Sequence, residues 1–465
     1  MSDIRILSLR DRTSRTGPMK SWKPVLTGEL AAAASFAGSE VAVRLSVPSR
    51  VEEAATATRT QTAFPRSAHW APYSVAQGYA GLALLWSYLD ALSPEEGWDV
   101  TAREHLELAV RDAETHFNLP TGLFSGLSGM AFSAWQLSRQ GTRYRRLLSS
   151  LDQEIAAQSL PLADSVRAQH GVNVGDFDVI SGLSGIGAYL LCRRHEPGVE
   201  AALSGVVQAL LHLGGEEDGV PRWHTPIQHL WDEEVQKLYP HGNLNCGLAH
   251  GIPGPLAFLA LAHRAGVESP GLPEGIARLA DWLCQNRLDD SWGVNWPTAT
   301  PLVETEGRLE APPAAATAEG TSRCAWCYGS PGIARALWLA GEALDRDEYR
   351  DLAVAAMEAI FRRPIMERRI DSPTFCHGIA GLLQITLRFA HDTGQAVFIE
   401  QSCALVRQIL ASYQPESLLG FRNLEVPGSE TDQPGLLDGA PGVALVLLAA
   451  ATGVEPTWDR LFLLS

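Results

Sequence analysis

Cysteine and histidine stand side by side at Cys376-His377, immediately ahead of Gly378, and a second cysteine, Cys327, lies two residues before Gly329. Thiolate sulfur and imidazole nitrogen are the donors a borderline-soft divalent metal prefers, and tetrahedral Zn²⁺ fits them best. His250 precedes Gly251 just as His377 precedes Gly378. An imidazole close to a metal is a natural proton carrier near neutral pH. Asp178, four residues before Gly182, is spaced to orient or charge-balance His250, and Arg323, four residues before Cys327, to donate to a developing oxyanion.

These residues belong to one repeating pattern. Gly-x-x-Gly followed by an apolar run occurs at Gly78/Gly81, Gly126/Gly129, Gly182/Gly185, Gly251/Gly254, Gly329/Gly332, Gly378/Gly381 and Gly439/Gly442. Successive first glycines are 48 to 78 residues apart, room for two helices with loops and insertions. Immediately before the first glycines stand Gln77, Ser125, Ser181, His250, Tyr328, His377 and Asp438, and one position earlier Ala76, Phe124, Ile180, Ala249, Cys327, Cys376 and Leu437. In a closed ring of repeats these positions face one centre, so repeats four to six bring His250, Cys327, Tyr328, Cys376 and His377 together. Cys327, Cys376 and His377 make a three-ligand zinc set, and no fourth strong ligand is expected at an aligned position. An open fourth position favours a catalytic over a structural metal. Cys324, at CxxC spacing with Cys327, is an alternative ligand or redox partner outside the aligned positions.

The elements that must position this set are helices. Each glycine pair leads into a run apolar nearly all round, such as 82–86, 186–191 or 443–448, as buried helices are. Between them lie amphipathic stretches, among them 102–114, 278–286 and 349–360, suited to an outer layer. The fold class expected is all-α, an α/α toroid of seven inner and outer helix pairs over residues 71–465. Pro253, Pro331 and Pro441 fall at helix starts, where a missing N–H costs nothing. Residues 214–245 read as a partly β insertion over one mouth of the ring, and 296–320 as a long Pro-, Ala- and Thr-rich loop. Residues 1–70 form a partly helical N-terminal segment without a mapped motif, with a helix over 30–37 and a polar loop over 56–67.

Composition narrows the function classes. A net charge of −16 opposes non-specific binding to nucleic acid or anionic membrane. No apolar run reaches a membrane span, and the N-terminus lacks a signal core. Seven cysteines, an odd number in a long chain, suit reduced thiols. The cytoplasm is the expected location, peripheral to any membrane-associated assembly.

Phe177 to Gly185, Gly242 to Asn245 with Gly247 to Gly254, Arg323 with Trp326-Cys327-Tyr328-Gly329, and Cys376-His377-Gly378 together closely resemble the lanthipeptide cyclases, the LanC family, in its free-standing class I form. The resemblance runs from about residue 70 to the end and includes nothing like a fused dehydratase. It implies an α/α toroid, zinc on Cys327, Cys376 and His377, and His250, Asp178, Arg323 and Tyr328 around the reaction. The implied reaction is Michael addition of peptide cysteine thiols to dehydroalanine or dehydrobutyrine, giving lanthionine or methyllanthionine. Implied partners are a dehydrated precursor peptide, a dehydratase and an exporter. The family's glutathione-binding branch is the alternative, although Tyr328 stands where that branch usually has histidine. A toroid glycosidase would need paired central carboxylates; only Asp178 and Asp438 are candidates, and neither accounts for Cys376-His377. A zinc-stabilised binding module would not need His250.

Overall fold

A computed structural model describes residues 22–65, 70–317, 320–426 and 428–465. Every glycine pair begins a helix buried on all sides: α3 (Tyr79–Leu92), α5 (Leu127–Gln136), α8 (Leu183–Cys192), α11 (Pro253–Arg264), α14 (Ser330–Leu344), α16 (Ile379–Thr393) and α18 (Ala440–Ala451). Each packs against the next, and α18 returns to α3, which closes the ring. Outside them lie α4 (Trp98–Ala113), α6 (Arg145–Ala168), α9 (Val199–Leu213), α12 (Leu272–Gln285), α15 (Asp347–Arg362) and α17 (Ala396–Ala411). The layers differ because their sequences do. Helix α18 buries Ala440 through Ala450, whereas α4 buries only Ala102, His105, Leu106 and Ala109.

The seventh outer helix comes from the other end of the chain. Helix α1 (Gly28–Leu45) lies along α18, and Val25 and Leu26 donate backbone hydrogen bonds to Ala450 O. Helix α1 of the N-terminal segment therefore completes the outer layer. The helix expected over 30–37 is present, but the loop expected over 56–67 is helical up to Gln61 as α2 (Pro48–Gln61), because Val51, Ala54, Ala55 and Thr58 bury one face. Residues 66–67 of that stretch lie outside the described residues.

The glycine pairs exist because backbone passes where side chains would stand. A Cβ on the second glycine of all seven pairs would meet the carbonyl of the residue six positions earlier, from Val75 in the first repeat to Phe375 and Leu436 in the last two. At Gly381 the obstruction is rigid backbone, so Gly381→Ala is expected to cost about 1–3 kcal/mol, as overpacking does. Thermal unfolding of the variant checks it; an unchanged midpoint would show that the turn can relax.

The insertion is partly β, as expected. It holds β1 (Glu216–Glu217) paired with β2 (Val220–Pro221), a short helix α10 (Glu233–Leu238), and β3 (Asn243–Asn245). The stretch over 296–320 is not one loop. Strand β4 (Ala299–Pro301) pairs antiparallel with β3, β5 (Val303–Thr305) and β6 (Arg308–Glu310) form a hairpin, and α13 (Ala314–Thr317) follows. Its Pro and Ala content hid the pairing because strands this short show no periodicity. A further helical turn, α7 (Val174–Phe177), precedes α8, and a hairpin of β7 (Asn423–Val426) and β8 (Ser429–Thr431) precedes α18.

One face of the ring's centre is filled by the C-terminal turn. Phe462 packs on Phe375, Trp326 and Phe124, with ring centroids 3.8, 5.1 and 5.5 Å away. Arg388 clamps this turn through Asp459, with Nε–Oδ2 at 2.6 Å and Nη2–Oδ1 at 2.7 Å, both groups buried.

Candidate metal and proton-transfer centre

The residues ahead of the first glycines are joined by a circle of backbone hydrogen bonds. Ala76 N–H donates to Phe124 O, Phe124 to Ile180, Val179 to Ala249, Ala249 to Cys327, Cys327 to Cys376, Cys376 to Leu437, and Leu437 back to Ala76, all at 2.9–3.2 Å. Residues far apart in sequence thus become neighbours at the centre. The chemistry-bearing arc of the circle runs from repeat three to repeat seven.

On one side of the arc, the Cys327 and Cys376 thiols interact closely enough for each to shift the other's titration. That contact lowers the Cys327 pKa against its burial, with help from the charges of Arg323 and His250, and raises Cys376. Two adjacent buried thiols cannot both ionise unless a cation stands between them. The donor atoms of Cys376, His377 and Asp438 lie within 4.8 Å of one another. Asp438, at the aligned position of the seventh repeat, thus places a carboxylate beside the expected ligands Cys376 and His377. Its Oδ1 is 3.4 Å from His377 Nδ1 and buried without a hydrogen-bond donor, and burial raises its pKa although the His377 charge opposes this. Two thiols, an imidazole and a donor-less carboxylate oxygen suit a soft divalent cation.

On the other side, His250 and Asp178 form a tight pair. Asp178 Oδ1 accepts the backbone N–H groups of Ser181 and Gly182 at 2.7 and 2.9 Å, which leaves Oδ2 for His250 Nδ1 at 2.7 Å. An ionised carboxylate only accepts, so Nδ1 carries the proton and Nε2 is the exchanging nitrogen. Burial alone would depress the His250 pKa; the hydrogen bond and charge of Asp178, with the charge of Cys327, outweigh it and hold the pKa above the ordinary histidine value. Tyr328 lies with its ring 6.1 Å from that of His250. Burial raises its phenol pKa, against the effect of a hydrogen bond from Asn245, so the phenol stays protonated at neutral pH.

Not every candidate is drawn in. Arg323 is exposed and makes no hydrogen bond or ion pair with a described residue; it acts on the thiols only through its charge. Cys324 is buried away from the set. Its pKa is pushed up to about 11 by burial, and Arg363, Arg368 and Asp290 are its charged neighbours. Asn245 escaped the alignment with the other repeats because it stands six residues before Gly251, on β3. Asp438 stands at an aligned position, immediately before Gly439.

Comparison with known proteins agrees with this architecture. A family model described as lanthionine synthetase C-like protein matches residues 69–463. The nisin biosynthesis protein NisC of Lactococcus lactis subsp. lactis is 28% identical over 394 residues, covering 84% of this chain and 88% of that protein. The solved structure of a nisin cyclase superposes with a TM-score of 0.72 at 25% identity, covering 85% of this chain and 93% of that one. With the family model spanning the glycine repeats and every residue of the central arc, this chain belongs to the lanthionine synthetase C-like family.

Proposed function

We propose that this protein is a lanthipeptide cyclase that closes thioether rings in a dehydrated, ribosomally made precursor peptide. The observation that carries this reading is the cluster of Cys376, His377 and Asp438, with Cys327 beside Cys376, on the same central circle as the Asp178–His250 pair within a nisin-cyclase-like toroid. The reaction joins a cysteine sulfur to the β-carbon of a dehydroalanine or dehydrobutyrine and places a proton on its α-carbon. One S–H and one C=C become one S–C and one C–H, with no change in redox state.

Zn²⁺ on Cys327, Cys376 and His377 supplies, when bound, the lowering of thiol pKa that makes a substrate sulfur available as thiolate. The chain's own groups handle the protons. His250 Nε2 delivers the proton to the α-carbon of the enolate, and Asp178 fixes the ring and stabilises its charged form. Tyr328 and Arg323 oppose the charge that builds on the carbonyl oxygen, Tyr328 as a hydrogen-bond donor and Arg323 as a nearby cation. Among the described residues no single helix is long and apolar enough to cross a membrane. A peptide modified after synthesis and before export would meet the enzyme in the cytoplasm, beside the dehydratase and exporter.

Incubation with a dehydrated, cysteine-containing peptide tests the reading. The expected result is loss of free thiol with no change in peptide mass. A mass gain seen only with added glutathione would favour the glutathione-transferring branch, and a peptide that neither loses its thiol nor gains mass with glutathione would sink both.

A further inference from the structure

We infer that Asn245 is a positioning residue that holds the Tyr328 hydroxyl as a hydrogen-bond donor toward the substrate, an inference that rests on the cyclase reading. Asn245 is only 4% exposed and ends β3, opposite Ala299 of β4. Its Oδ1 accepts the backbone N–H of Gly247 at 2.9 Å. A backbone N–H can only donate, so this contact settles which end of the amide is oxygen. The NH₂ end is therefore the one 3.0 Å from the Tyr328 hydroxyl.

The polarity of that second bond follows. An amide NH₂ donates and never accepts, so the phenol oxygen accepts from Asn245 and its own single proton must point elsewhere. No other hydrogen-bond partner of this hydroxyl is found among the described residues. Tyr328 occupies the ring position equivalent to His250 and His377, and its ring lies 6.1 Å from that of the proton carrier His250. The turn is shaped around the tyrosine. A Cβ on Gly247 would come within 2.6 Å of Tyr328 Cε1 and 2.7 Å of Cys327 O, so the segment from Asn245 to Gly247 closes over the phenol only with glycine there. A hydrogen bond prearranged where negative charge develops costs no reorganisation during reaction, which makes donor orientation worth fixing.

Asn245→Asp tests the polarity with nearly no change of shape. The carboxylate keeps an acceptor for Gly247 N–H, yet presents a second acceptor to the phenol, which then turns its proton away from the substrate. Cyclisation is measured first in the wild type, so failure of the cyclase reading appears there and failure of this inference only in the variants. With peptide thiol loss followed under saturating and limiting substrate, kcat is expected to fall roughly 10²-fold with KM little changed. Tyr328→Phe should lose as much, and the double variant no more than either single one, because both changes remove the same donor. Metal content and melting midpoint should match wild type. Wild-type kcat in Asn245→Asp, or losses that multiply in the double variant, would overturn the proposal. If Asn245→Asp loses its cooperative melt, Tyr328→Phe carries the test alone, and undiminished kcat in that variant has the same meaning.

Discussion

Cys376→Ala is expected to lose bound zinc and cyclisation together, with zinc falling from about one per chain to near zero. Cys376 supplies one of two thiols that shift each other's titration, and it stands in the cluster with His377 and Asp438. Removing one of three strong ligands leaves a thiol and an imidazole, too few for a tetrahedral site to compete with chelators in solution. Metal analysis of the purified protein reads the first loss and peptide thiol titration the second. The ring itself should persist, because Cys376 joins the central circle through its backbone N–H and carbonyl, which alanine retains. A variant that binds no zinc yet cyclises at the wild-type rate would remove the metal from the mechanism. One that keeps its zinc would shift the ligand role to Asp438.

His250→Ala should reduce kcat by about 10²–10⁴-fold, the usual worth of a positioned general acid or base. Zinc content should stay intact, since the nearest cluster residue, Cys327, feels His250 only as a charge. Substrate binding and chemistry separate here, so KM is expected to change far less than kcat. Asp178→Asn sharpens the assignment through pH. In the wild type the Asp178 hydrogen bond and charge hold the His250 pKa up against burial. Without that carboxylate, burial prevails and the pKa falls, so the protonated acid disappears at a lower pH. The alkaline limb of the kcat profile should therefore move to lower pH in Asp178→Asn and be absent in His250→Ala. An unshifted limb would assign it to another group, and full activity in His250→Ala would remove His250 from the chemistry.

Much of this site was legible because the chain repeats. Aligning the seven glycine pairs put His250, Cys327, Tyr328, Cys376 and His377 at equivalent positions, and the circle of backbone hydrogen bonds is the physical form of that equivalence. The same alignment contains Asp438, but a residue column does not show that its neighbour is His377 of the preceding repeat. Arg323 shows the opposite limit. Its spacing from Cys327 suggests a donor, but the side chain is exposed and has no hydrogen-bond or ion-pair partner among the described residues, and only its charge reaches the thiols.

The sequence by itself determined the ring, its seven buried helices and the arc of residues that face its centre, since glycine spacing and apolar periodicity are local signals repeated often enough to average out noise. Tertiary structure alone decided how the ring closes and how the arc is tuned. Helix α1 completes the outer layer against α18 through contacts between the two ends of the chain, which no local pattern records. The depth of burial at Asp438, the bond from Asp178 to His250 and the polarity of the Asn245–Tyr328 contact depend on angles and distances between groups 61 to 83 residues apart or more. Residue type sets what a group can donate or accept, but only the fold determines which partner it meets.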